Sequence, residues 1–203
     1  MLDFVYDYQG GDMFYKFFVF LFMMIATFNK ANAFSDVEIY VAIKDENTSL
    51  FTEMMAAGIE VDERDIDGNT PLMKASALGK AKFVRYLISM GADVDKRNYA
   101  GQTALHSAAR AGHNEIIDIL VDNGAFVNMP DLDGFTPLMF AVLSEKRFTV
   151  EHIVGRGAIL EFRNVFGATA LDVAKKKRYG NIVKFLENVN KKDENRPNYS
   201  WDY

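Results

Sequence analysis

The sequence predicts an all-α repeat solenoid in which pairs of helices stack on one another. Two glycine series with a step of 33 residues predict this fold, and threonine, leucine and alanine series keep the same step. The glycine series are Gly68, Gly101, Gly134 and Gly167, and Gly58, Gly91, Gly124 and Gly157. A fixed period of this size is typical of stacked supersecondary units, because one unit does not bury its apolar face alone.

Each unit begins with a turn that leads into a first helix. Gly68 supplies the backbone conformation that a tight turn needs. Thr70 is placed to cap the helix, and Pro71 occupies the first helical position, where no N–H is required. Leu72 and Ala75 then form an apolar stripe on one face of this helix.

A second helix follows the first within each unit. Gly79 separates the two helices, and Gly91 is placed to end the second one. The apolar positions of this helix are Phe83, Val84, Leu87 and Ile88. In the third full unit, Glu145 stands where the earlier units have Gly79 and Gly112. We therefore expect the break between the helices of that unit to be distorted.

These motifs resemble the ankyrin repeat. The resemblance is carried by the segments DIDGNTPL at 65–72, GADVD at 91–95, GQTALHSAA at 101–109 and DGFTPL at 133–138, and it covers about residues 36–187. It implies helix-turn-helix repeats joined by β-hairpin-like turns, with a concave face that binds proteins. It also implies that His106 forms hydrogen bonds to the backbone between neighbouring turns.

The period divides the chain into repeats and two flanking segments. The predicted units are an N-terminal capping repeat, three full repeats and a C-terminal capping repeat, at 34–63, 64–96, 97–129, 130–162 and 163–187. The last repeat turns polar at 175–178, as a terminal unit requires because one of its faces meets water. Residues 188–203 are polar and charged, which predicts a disordered tail. The aromatic residues Tyr199, Trp201 and Tyr203 in this tail are either a docking motif or accidental.

Residues 1–33 have the pattern of a secretory signal peptide. Lys16 precedes an apolar run of 12 residues at 17–28, and Ala31 and Ala33 form an A-x-A cleavage site. A helix of that length spans about 18 Å, which is short of the ~30 Å hydrocarbon core of a membrane. If the segment stays uncleaved, it acts as a membrane anchor instead.

The start of translation is a separate question. Residues 1–12 contain three aspartates, which is unusual for the basic start of a signal peptide. Met13, directly before the basic and apolar part, is therefore an alternative start.

Composition argues against several classes of function. The net charge of -5 disfavours nucleic-acid binding, and the absence of cysteine excludes a cysteine nucleophile or a Cys-based zinc site. The acidic residues before Gly68 resemble half of a calcium loop, but Lys74 occupies the position where that loop needs a glutamate. We find no HExxH motif, phosphate-binding loop or nucleophile elbow, and so expect no enzyme activity, cofactor, metal or small-molecule substrate.

A row of apolar residues marks the candidate partner-binding surface. Ile66, Tyr99, Leu132 and Val165 follow the first Asp or Asn of each turn, where exposure is expected. Phe135 and Phe166 flank turn glycines, and the resemblance places Arg110 on the concave face. The predicted binding residues are Ile66, Tyr99, Arg110, Leu132, Phe135 and Phe166. The alternative is that these side chains pack on neighbouring turns within the stack.

The sequence therefore predicts an exported, non-catalytic module, periplasmic or secreted, that presents a concave groove to a protein or peptide. The partner is unknown, and action inside a host cell is a variant of the same function. The alternative function is a membrane-tethered ankyrin adaptor, in which the N-terminal apolar segment is uncleaved.

Overall fold

The computed structural model describes residues 36–194, and this part of the chain contains ten α-helices and no β-strand. The helices are α1 (Asp36–Lys44), α2 (Thr48–Ala56), α3 (Pro71–Ala77), α4 (Ala81–Ser89), α5 (Ala104–Ala111), α6 (Asn114–Asp122), α7 (Pro137–Leu143), α8 (Arg147–Gly155), α9 (Ala170–Lys177) and α10 (Gly180–Glu194). The predicted all-α repeat solenoid is confirmed.

The helices form two layers of neighbours. The first helices of the units, α1, α3, α5, α7 and α9, pack side by side in chain order. The second helices α4, α6, α8 and α10 pack in the same way, and each packs on the first helix of its own unit. Within residues 36–194, the main contacts of each unit are thus with the units next to it, as expected for a solenoid.

Threonine side chains start the first helices as the sequence predicts. The Oγ1 atoms of Thr70 and Thr169 accept hydrogen bonds from the amides of Met73 and Asp172, at 3.3 and 3.2 Å. Pro71 lies at the start of α3, directly after the cap. These contacts satisfy amide groups that have no partner within the helix.

One continuous apolar core runs between the two layers. The alanines that repeat with the period, Ala75, Ala108, Ala141 and Ala174, are fully buried. Their small side chains let neighbouring first helices approach closely. The second-helix residues Phe83, Val84 and Leu87 are also buried, as the sequence predicts, whereas Ile88 is only half-buried. Each additional unit therefore extends the same core, so a single unit on its own would leave apolar surface exposed to water.

The expectation of a distorted break at Glu145 is wrong. Glu145 adopts a φ of 54°, in the left-handed region that Gly79 and Gly112 also occupy. The amide of the next residue, Lys146, donates to the carbonyl of Ala141 at 2.9 Å. The equivalent bonds in the other units join residues 47 and 42, 80 and 75, 113 and 108, and 179 and 174. The stacked helices thus impose the same turn on a residue that is not glycine.

The helical region extends further than predicted at its C-terminal end. Helix α10 continues to Glu194, so residues 188–194 are helical where the sequence predicts a disordered tail. Ile182 and Leu186 of this helix are buried against the stack. The predicted signal peptide with Ala31 and Ala33, and the aromatic tail residues, lie outside the described residues. Within residues 36–194, no helix combines the length and apolar character needed to cross a membrane.

Candidate functional site

The turns before the first helices are all built on one side-chain motif. The Oδ1 atom of Asp65 accepts hydrogen bonds from the amides of Asp67 and Asn69, at 2.9 and 2.7 Å. The side chains of Asn98, Asp131 and Asn164 accept the same pair of bonds in the following turns. Each turn is thus closed by its own first residue, which fixes the backbone at the tip.

Backbone hydrogen bonds join each turn to the next. The amides of Tyr99, Leu132 and Val165 donate to carbonyl oxygens of the preceding turn, at 3.2, 3.0 and 3.0 Å. A Cβ atom on Gly68 would lie only 2.8 Å from the amide nitrogen of Tyr99, so the turns approach too closely for a larger residue there. The turns therefore form a connected ladder along the stack.

This ladder presents a row of exposed apolar side chains. Ile66, Tyr99, Leu132 and Val165 occupy equivalent positions on four consecutive turns and are between 64% and 88% exposed. Ile66 lies on the first turn and Val165 on the last. We use the name turn–helix surface for the surface formed by the turns at 65–69, 98–102, 131–135 and 164–168 and the adjoining sides of α3, α5, α7 and α9.

Three of the predicted binding residues meet around a phenylalanine cluster. The ring centroids of Phe135 and Phe166 lie 6.4 Å apart, and those of Phe135 and Phe140 lie 6.1 Å apart. Arg110 places its guanidinium carbon 4.5 Å from the centroid of the Phe140 ring. Its Nη2 atom also donates to Oε1 of Gln102 at 2.8 Å. Arg110 is thus held against the cluster by a cation–π contact and a hydrogen bond.

The six predicted binding residues differ in how much of each side chain is exposed and free to contact a partner. Phe166 is 77% exposed and Arg110 is exposed, whereas Phe135 is half-buried and packs against the core. Tyr99 is exposed but also lies close over Gly68. Contacts within the stack therefore account for part of the role of the Phe135 and Tyr99 side chains. The Phe166 side chain remains largely open to solvent.

Sequence reasoning missed Phe140. It lies on the first helix α7, at the position occupied by Lys74, Ser107 and Val173 in the other units. The residue type at this position differs from unit to unit. Because the fold leaves this position free, its variability is the signal that could have identified Phe140 as a functional candidate. Phe140 connects Arg110 of one unit to Phe135 of the next, so it organises the centre of the turn–helix surface.

A groove lies at the C-terminal end of the turn–helix surface. It has a volume of about 390 Å³ and is lined by Phe135, Leu143, Phe166, Val173, Lys176 and Lys177, among others. Helix α9 supplies the lysines and Val173, and the last two turns supply the phenylalanines. The groove therefore combines aromatic, aliphatic and cationic side chains.

Charges at the opposite end of the surface are paired internally. Lys74 Nζ lies 3.2 Å from Oδ2 of Asp65, and both side chains are largely buried. Burial alone would raise the pKa of Asp65, but hydrogen bonds from Asn69 and the ammonium group of Lys74 hold this pKa below its usual value. Asp65 therefore stays charged and keeps its role in the turn.

The histidines have structural partners. His106 is fully buried, and its Nε2 atom lies 3.1 Å from the carbonyl oxygen of Phe135 in the next unit, as the resemblance implies. His113 Nε2 lies 3.2 Å from the carbonyl oxygen of Ala77. His152 pairs with Asp118 of the neighbouring helix, with 2.9 Å between Nε2 and Oδ1. Over residues 36–194, no group of three or more acidic or histidine side chains is arranged to hold a metal ion.

Comparison with protein families decides what the repeats are. Residues 39–131 match the family model for ankyrin repeats, in three copies. This region consists of ankyrin repeats. The match covers a little under half of the chain, and the structure continues the same helix pairs beyond it, through α7 to α10. Ankyrin repeats are typically protein-interaction modules without catalytic activity. A comparison with curated proteins found no match.

Proposed function

We propose that this ankyrin protein is a non-catalytic module that binds a protein or peptide on its turn–helix surface. The observation that carries the proposal is the exposure of large apolar side chains at one position of four consecutive turns. Contiguous exposed apolar surface is costly in water unless a partner covers it. The proposed contact residues are Ile66, Tyr99, Arg110, Leu132, Phe135 and Phe166.

Rigidity of the surface supports this function. Each turn tip is closed by two hydrogen bonds to its Asp or Asn side chain, and the ladder links the tips to one another. Arg110 is likewise held in place over Phe140. Side chains that are ordered before binding lose less conformational entropy when a partner docks. Tyrosine and arginine are also enriched among residues that dominate binding energy.

Site-specific photocrosslinking in cells tests this proposal. A photoreactive phenylalanine derivative replaces either Tyr99, on the turn–helix surface, or Phe148, which is 75% exposed on the second helix α8. We expect a discrete protein adduct from position 99 and a much weaker one from position 148. Equal adducts from both positions, or adducts only from position 148, would place the partner elsewhere.

We also propose that the protein is exported, either to the periplasm or beyond it. The support is the sequence pattern of Lys16, the apolar run at 17–28 and the small residues Ala31 and Ala33. The intact mass of the native protein from fractionated cells tests this. A soluble form beginning at Phe34 is expected. A membrane-bound form that retains residues 16–33 would make the protein a tethered adaptor instead.

A further inference from the structure

The groove between the last two turns and α9 has an apolar floor. The Phe135 and Phe166 rings pack edge to face, with an interplanar angle of 64°. Val173 and Leu143 also line the groove, and they are buried and half-buried, respectively. The volume of about 390 Å³ lies within the range of pockets that enclose a ligand group. The floor is therefore suited to one bulky apolar side chain.

The edge of the groove is cationic. Lys176 and Lys177 line it and are exposed, and neither forms an ion pair with another residue of the described part of the chain. Their neighbour Lys175, in contrast, lies 3.0 Å from Oε1 of Glu187. The two lysines at the groove are thus not neutralised by the fold.

The one carboxylate in the lining is already engaged. Asp172 Oδ2 accepts hydrogen bonds from the amide and hydroxyl groups of Thr169, at 3.0 and 2.9 Å. These bonds lower the pKa of Asp172 and tie its charge to the start of α9. Two lysines against one carboxylate leave the lining net positive, although the whole chain has a net charge of -5. The net charge of the groove lining is therefore opposite in sign to the net charge of the whole chain.

We infer that this groove binds a peptide segment in which a bulky apolar side chain is flanked by acidic residues. The apolar side chain occupies the floor formed by Phe135, Phe166 and Val173, and the acidic residues face Lys176 and Lys177. This inference rests on the proposed protein-binding function and specifies the chemistry of the partner. Charge complementarity of this kind contributes to partner choice and to the association rate.

The chain's own C-terminal segment fits this description less well. Residues 195–203 contain three aromatic residues, but Arg196 and Asp202 cancel each other in charge. Asp202 lies next to Trp201, but the side chains of this segment carry no net negative charge to match Lys176 and Lys177. We therefore assign the groove to a separate, acidic partner.

Selection from a random peptide display library tests the inference on the full chain. We expect the wild-type protein to enrich peptides that combine Trp, Phe or Leu with neighbouring Asp or Glu. The double variant Lys176→Glu with Lys177→Glu is expected to bind the selected peptides about tenfold or more weakly and to enrich basic flanking residues instead. Binding of the wild type should also weaken as salt is raised.

Two matched variants complete the experiment. Lys82→Glu with Arg85→Glu makes the same change in net charge on the second helix α4 and should leave peptide binding unchanged. The triple variant Tyr199→Ala, Trp201→Ala and Tyr203→Ala should bind with the same affinity as the wild type. If peptides bind only after this triple change, the occupant is the chain's own tail and the inference is overturned.

The remaining outcomes separate the inference from the proposed function. If selected peptides lack acidic residues but are lost on Phe166→Ala, the acidic specificity is wrong and the binding surface stands. If charge reversal at Lys176 and Lys177 has no more effect than at Lys82 and Arg85, the inference is likewise overturned. If the library yields no binder and crosslinking at position 99 also fails, the proposed function itself is wrong.

Discussion

The Nε2 atom of His106 lies 3.1 Å from the carbonyl oxygen of Phe135, which belongs to the next repeat. On the other side of the ring, the amide of Thr103 donates to Nδ1 at 3.0 Å. A neutral imidazole with its proton on Nε2 satisfies both contacts. One buried side chain therefore connects the start of α5 to the turn that carries Phe135, at the centre of the turn–helix surface.

Replacing His106 is expected to destabilise the stack strongly. His106→Ala removes both hydrogen bonds and leaves a cavity, so we expect the free energy of unfolding to fall by about 3 kcal/mol. Urea denaturation followed by circular dichroism measures this. The control is His152→Ala, whose pair with Asp118 is partly exposed and should contribute about 1 kcal/mol or less. Equal losses for the two variants would contradict the role given to His106.

The same histidine makes stability depend on pH. Burial lowers the pKa of His106 to about 4, although the hydrogen bond to the Phe135 carbonyl acts in the opposite direction. Between that value and the unfolded pKa of about 6.5, the unfolded chain binds a proton that the folded chain does not. Stability is therefore expected to fall as the pH drops through this window, by about 3 kcal/mol in total.

The variant His106→Met isolates this effect. Methionine occupies the equivalent position in the neighbouring repeats, at Met73 and Met139, so the helix accepts it. Urea midpoints measured from pH 7 to pH 4.5 should fall more steeply for the wild type than for the variant. Parallel pH dependence in the two proteins would show that His106 titrates alike in the folded and unfolded states.

The left-handed turn at Glu145 predicts a stabilising substitution. A residue with a Cβ atom is strained at this φ, so Glu145→Gly is expected to raise the free energy of unfolding by about 0.5–1 kcal/mol. The reverse change at the equivalent position, Gly79→Ala, should cost more than this, because its Cβ atom would lie 2.7 Å from the ring of His113. Thermal denaturation of both variants checks the signs. A destabilised Glu145→Gly would mean that the glutamate side chain has an unrecognised partner.

The period predicts what every repeat must share. The capping threonines, the buried alanines and the exposed turn tips recur because each repeat stacks on an almost identical neighbour. The period does not predict contacts at positions where the repeats differ. The cluster around Phe140 is of this kind, since it depends on Arg110 of one repeat and Phe135 of the next.

Near the end of the chain, polar composition predicts disorder at residues that are in fact helical. Residues 188–194 look solvated in sequence, but they continue a helix that Ile182 and Leu186 already anchor. The Asn190 side chain also donates to Oε1 of Glu161 at 3.3 Å. At Glu145, the stacking of the neighbouring turns likewise outweighed the local preference for glycine.

Alanine variants of two phenylalanines with nearly equal exposure distinguish an effect on binding from an effect on stability. Phe166, in the groove, is 77% exposed, and Phe148, on α8, is 75% exposed. Truncating either to alanine should change the melting temperature little, because neither side chain is buried. Phe166→Ala is expected to weaken partner or peptide binding by about 2 kcal/mol, whereas Phe148→Ala should leave it unchanged. Binding measured by fluorescence anisotropy decides between them, and equal weakening by both variants would place the contact outside the groove.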